Sequence, residues 1–228
     1  MQYEEILKQL KSMSNPEAAS GMARYGISTK NVAYGIRIPD LRRMAKEIGR
    51  NHPLAQQLWA SDIHEAKILA GMIDDPRMAT EEQMERWVKD FDNWEICDQC
   101  CTNLFEKTKF GYQKCVQWSV RKEEFVKRAG FVLMACLAVS DKKADDEQFE
   151  QFFPIIKREA TDDRNYVKKA VNWALRQIGK RNLSLNSRAT ETARDIHRMD
   201  SRSAKWIASD AIRELTSKAV QKRLQSKR

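Results

Sequence analysis

Asn93-Trp94-Glu95-Ile96-Cys97-Asp98 sets an indole and a carboxylate four residues apart, and on a helix such residues share a face. A carboxylate can orient water or stabilise a developing cation, and an indole face attracts cations and stacks on bases. Arg128 and Trp173 lie in later segments of the same helical pattern, on what reads as the same side. Two indoles, a guanidinium and a carboxylate therefore define a candidate site for a cationic aromatic ligand. Other chemistries find less support. Cys97, Cys100 and Cys101 form a lone CxxC with an adjacent thiol, there is no second CxxC, and His52, His64 and His197 lack ligand spacing. Buried structural thiols are the expected reading, and no metal site is expected. Phosphate-loop, dinucleotide and GxSxG fingerprints are missing, which removes nucleotide hydrolysis and serine-hydrolase chemistry.

The elements that hold these residues read as helices. Apolar residues recur at three- and four-residue spacings, with 8 Gly, 5 Pro and no convincing strand alternation. Turn signals at Ser14-Asn15-Pro16, Ile38-Pro39-Asp40, Asn51-His52-Pro53, Asp74-Asp75-Pro76, Lys109-Phe110-Gly111, Ser140-Asp141 and Gly179-Lys180 cut the chain into short helices. Five segments align without gaps, starting at His64, Trp94, Phe125, Tyr166 and Ser203, with starts 30, 31, 41 and 37 residues apart. That period is the period of helical-hairpin solenoids. The expected fold is all-α, a HEAT-like helical repeat superhelix with a concave groove; a non-repetitive helical bundle is the competing reading.

Positions one, four, five and eight of the aligned segments trace one predicted stripe. Position four supplies Lys67, Arg128 and Lys169, and position five holds Ile68, Asp98, Ala129, Ala170 and Ile207. Asp98 is the one acid in its column. A carboxylate where other repeats use Ile or Ala either faces a groove or pairs with a neighbour, and Arg128 is the obvious neighbour. Both readings stand at this point, with about even weight.

At 228 residues the chain has the length of one domain, expected to span 1–228, with about 217–228 as a candidate disordered basic tail. Hydrophobic residues make up 42% and charged residues 32%, a globular balance. No stretch approaches a membrane span, and Glu4 and Glu5 stand where a secretory leader would carry basic residues, so a cytoplasmic protein with reduced cysteines is expected. Charge is distributed unevenly: Arg164–Arg228 hold 17 Lys and Arg against 5 Asp and Glu, net +12, while the preceding residues hold 24 against 27, net −3. Such concentration favours a polyanionic partner, nucleic acid before an anionic membrane. Arg176 and the basic residues after it are the candidate phosphate contacts. Of the six tryptophans, Trp59, Trp87 and Trp118 read as core, and Trp94 and Trp173 as site residues.

From YGIRIPDLRR through NWEICD and VKRAGFVLM to VKKAVNWALRQIGK, the chain resembles the bacterial HEAT-like-repeat DNA alkylation repair proteins, the AlkD-type DNA glycosylases. The resemblance implies an active cleft of Trp94, Asp98, Arg128 and Trp173, with Asp98 catalytic; the repeat column and the basic flank add Lys67, Lys169 and Arg176 as further candidate DNA contacts. It implies excision of purines alkylated at N3 or N7 from duplex DNA, without metal or cofactor and without flipping the base into a pocket. The simplest implied assembly is a monomer with no obligate protein partner. The chain departs from the family's first member types in having a single Trp94 before the aspartate and three thiols around it. Some relatives of this fold bind DNA without excising bases, so a non-catalytic module for damaged, distorted or branched DNA is the alternative. A protein-interaction solenoid is a third reading, and it leaves Asp98, the two indoles and the basic flank unexplained.

Overall fold

A computed structural model describes residues 2–226. Among them there is no strand, and the β pairing is one isolated parallel bridge between Val32 and Ile63. The chain forms two compact units, Met1–Phe110 and Gly111–Arg228. The division falls at the Lys109-Phe110-Gly111 turn signal.

The first unit contains α1 (Tyr3–Ser12), α2 (Pro16–Gly21), α3 (Ile38–Ile48), α4 (His52–Trp59), α5 (His64–Ile73), α6 (Glu81–Lys89) and α7 (Trp94–Asn103). Pro16, Pro39 and Pro53 sit in first turns, where a missing N–H costs nothing, and Asn15, Asn51, Thr80 and Asn93 cap the helices they precede. Helix α5 is buried along almost its whole length, packed by α3, α4 and α7. At Gly71 a Cβ would stand 3.4 Å from Cα of Cys100 on α7, so the two helices are in van der Waals contact there. Trp59 and Trp87, from α4 and α6, stack with centroids 4.0 Å apart and fill the space between those helices.

The second unit contains α8 (Gly111–Ser119), α9 (Glu124–Ser140), α10 (Glu147–Glu150), α11 (Phe152–Glu159), α12 (Asn165–Gly179), α13 (Leu183–His197), α14 (Arg202–Leu215) and α15 (Lys218–Gln225). Helix α9 is its axis, buried from Arg128 to Ala138, with α8 and α12 against it. At Gly130 the α8 backbone comes so near that a Cβ would meet Ser119 N at 2.7 Å. Helix α12 also meets α13 and α14, where buried Asn172 donates to the Ile207 carbonyl at 3.1 Å. Glu214 on α14 accepts hydrogen bonds from Arg176 and from Lys180, the latter at 2.5 Å. Burial pushes the Glu214 carboxyl up, but these two cations outweigh it and hold it below its ordinary value.

The five aligned segments each open a helix: His64 and Trp94 are the first residues of α5 and α7, and Phe125, Tyr166 and Ser203 the second residues of α9, α12 and α14. Of the intervening helices, α4, α8, α11 and α13 pack against α5, α9, α12 and α14. The candidate disordered tail is helical over Lys218–Gln225, because Ser217 caps it and Val220 and Leu224 are buried; its last two residues lie outside the described residues. No described helix is long and apolar enough to cross a membrane.

Candidate functional site

The site residues of the first unit sit at the start of α7. Asn93, 1% exposed, accepts from the backbone N–H groups of Glu95 and Ile96 at 3.0 and 3.1 Å and donates to Asp92 at 2.7 Å. The cap fixes where the helix begins, and hence which way Trp94 and Asp98 point. Both are half-buried, one turn apart on the same face. The Trp94 indole N–H donates to the Tyr25 carbonyl at 3.0 Å, so the ring is oriented by the loop before α3.

That loop is itself held by two carboxylates. Glu65, 1% exposed, accepts from the backbone N–H groups of Tyr34, Gly35 and Ile36 at 2.7 to 3.2 Å. Asp92 accepts from the Thr29 hydroxyl at 2.8 Å and the Lys30 N–H at 2.6 Å. The Val32 N–H and carbonyl meet the Asp62 carbonyl and the His64 N–H at 2.8 and 2.9 Å. Gly35 is at φ +71°, and a Cβ would lie 2.5 Å from Ala19 N, so only glycine permits this path. His64 then ties α5 to α7 through Glu95, Nε2 to Oε2 at 2.9 Å. Residues 25–36 thus run past the N-termini of α5 and α7 and are fastened to both. Sequence reasoning missed Glu65, Asp92 and Glu95 because nothing in their spacing distinguishes a clamp from a solvated acid.

Asp98 differs from its column: Ile68 is 2% exposed and Ala129, Ala170 and Ile207 are fully buried, whereas Asp98 is half-buried. The predicted stripe does not keep one face in every helix. On α7 positions one and five are accessible and four and eight, Cys97 and Cys101, are buried. On α12 positions four and eight, Lys169 and Trp173, are accessible and position five is buried. An ungapped alignment preserves helix starts, but α12 is turned by its packing on α9, α13 and α14.

In the second unit Lys169, Trp173 and Arg176 follow one another down one face of α12, Lys169 exposed and the other two half-buried. Arg176 is engaged by Glu214 and lies 3.6 Å from Asp210. Arg128 is 6% exposed and donates to the Tyr166 carbonyl at 2.7 Å, joining α9 to α12. Lys67, in the first unit, is 8% exposed; its ammonium donates to the Trp59 carbonyl at 2.7 Å. The accessible expected residues are therefore Trp94 with Asp98 on one helix, and Lys169 with Trp173 on the other.

All five cysteines are buried thiols outside any disulfide. Burial first, then Cys97 and Asp74, pushes the Cys100 thiol well above its ordinary value, and burial with Cys136 does the same to Cys115. These are packing thiols, unsuited to act as nucleophiles or ligands. Among the described residues no group of His, Cys, Asp or Glu is placed to hold a metal ion.

A family model described as DNA alkylation repair enzyme matches residues 6–215. The chain belongs to that family. A solved structure described as a new family of proteins related to the HEAT-like repeat DNA glycosylases, with affinity for branched DNA structures, superposes with a TM-score of 0.78. It is 17% identical, and the match covers 98% of this chain and 96% of that one, which establishes the HEAT-like repeat fold for this DNA alkylation repair family member. A designed armadillo repeat protein in complex with a (KR)4 peptide is 15% identical over 82% of this chain and 89% of its own, with a TM-score of 0.35, too low to carry weight. Among curated proteins none matches.

Proposed function

We propose that this protein hydrolyses the N-glycosidic bond of purines alkylated at N3 or N7 in duplex DNA, with Asp98 as the catalytic carboxylate. The observation that carries the reading is the accessible Asp98 beside the oriented Trp94, at a repeat position that is otherwise apolar and buried, in a family of DNA alkylation repair enzymes. Alkylation gives the purine a formal positive charge. When the bond to the sugar breaks, its electron pair leaves with the base, the base becomes neutral, and positive charge develops on the sugar. A carboxylate stabilises that charge and accepts the proton of the water that adds to the sugar carbon. The Trp94 face beside Asp98 favours the cationic states. In the second unit, Lys169 beside Trp173 supplies positive charge toward phosphates. In this reading the protein acts as a cytoplasmic monomer without metal or cofactor.

A second reading is a module that binds damaged, distorted or branched DNA without hydrolysis. It is favoured by the described affinity of the structural neighbour for branched DNA, and by the internal engagement of Arg128 and Arg176. Incubation with duplexes carrying N7-methylguanine or N3-methyladenine, alongside binding to a four-way junction, separates the two. Release of free alkylpurine supports the glycosylase. Tight junction binding with no released base makes the binding module the better account.

A further inference from the structure

The first unit contains a cavity of about 930 Å³ between α4, α5, α6 and the segment around Lys30. Four cations line it: Lys30, Lys67, Arg86 and Lys89. Among the described residues none of the four has a carboxylate within ion-pairing distance, whereas Lys127, Arg164, Arg176 and Lys180 elsewhere are all paired. Lys67 is the most telling, because a lysine only 8% exposed normally has a counter-charge. Its one acceptor is the Trp59 carbonyl, with the Trp59 ring 5.2 Å away, so two of its three donors have no protein partner.

The other polar groups of the wall add to this surplus of donors. Arg86 donates to Gln56 Oε1 at 3.0 Å, which fixes the amide and leaves the buried Gln56 Nε2 without an acceptor. Three acids, Asp62, Asp90 and Asp92, share the wall with the four cations, and Asp62 is exposed. Asp90 accepts from the Trp59 indole at 2.8 Å, and Asp92 from Thr29 and Lys30 N–H. The wall keeps a net positive charge, with buried donors on Lys67 and Gln56 still to be filled.

We propose that this cavity binds a phosphoryl group, with Lys67 and Gln56 at its base and Arg86, Lys89 and Lys30 at its mouth. The group is either a free phosphate or nucleotide, or a phosphodiester of bound DNA. The site is separate from the Trp94–Asp98 face, and it does not depend on the excision reading, since Asp98→Asn leaves every group named here in place.

The test is calorimetric titration of the full chain with inorganic phosphate, and separately with an undamaged duplex, for wild type and for Arg86→Gln/Lys89→Gln. Both positions are exposed, so the variant keeps its fold. Lys67→Met, which retains the aliphatic stem, is the second variant, and Lys122→Gln/Lys143→Gln is a charge-matched control from the second unit. A loss of about tenfold or more in phosphate affinity, with duplex affinity matching the control, identifies a free anion as the ligand. A comparable loss for the duplex, with the slope of log affinity against log salt reduced by about 2, identifies a DNA phosphodiester. If the cavity variants match wild type or the control in both titrations, the proposal is overturned.

Discussion

A buried acid can fasten a loop through backbone N–H groups alone. Glu65 illustrates the point, since a carboxylate accepting from Tyr34, Gly35 and Ile36 does the work a strand or helix would otherwise do for that loop. Glu65→Ala leaves three amides without their acceptor and should lower unfolding free energy by about 3 kcal/mol in urea titration. A loss under about 0.5 kcal/mol would show that the loop holds itself. The indole and carboxylate of NWEICD were legible from type and spacing, and their shared face followed from helix geometry. Their support was not legible. Tyr25 acts through its carbonyl, which any residue carries, and Glu65 and Asp92 act across about 30 and 60 residues of sequence.

Among the helices, close approach is governed by glycine. Gly130 lets α8 lie against α9, and Gly130→Ala would press a methyl group onto the α8 backbone at Ser119, which cannot yield as a flexible side chain would. That substitution should cost about 1–3 kcal/mol. Gly21→Ala, with nothing within 4 Å of the added atom, should be neutral or stabilising by up to about 1 kcal/mol. Equal effects at both positions, read from urea midpoints, would contradict the packing account. Helix starts were legible because prolines and capping Asn, Ser and Thr mark them, and the five repeat segments each open a helix. Helix rotation was not, because the face that a repeat presents depends on its neighbours. Lys169 and Trp173 take the accessible positions on α12 that Cys97 and Cys101 occupy as buried ones on α7.

Across the whole molecule, the net +12 of the last 65 residues is partly consumed internally, for Arg164, Arg176 and Lys180 bind acids of their own unit. These pairs tie stability to pH. Glu214, although burial alone would raise it, is held below its ordinary value of 4.5 by Lys180 and Arg176. A carboxyl depressed in the folded state contributes fully above its unfolded pKa, and the contribution is lost as pH falls through the lower folded value. Stability should therefore drop below about pH 4.5, and Glu214→Gln should flatten that acid limb while costing about 1 kcal/mol at neutral pH. An unchanged acid limb in urea unfolding at pH 3 to 7 would rule this linkage out. The central claim concerns Asp98, and single-turnover excision of N7-methylguanine by wild type and Asp98→Asn tests it most directly. The substitution keeps size and hydrogen bonding but removes the negative charge. The account predicts release of the base by wild type, a fall of about 10²-fold or more in the variant, and nearly equal duplex binding by both. Excision by Asp98→Asn at the wild-type rate would contradict it and leave Asp98 as a structural residue.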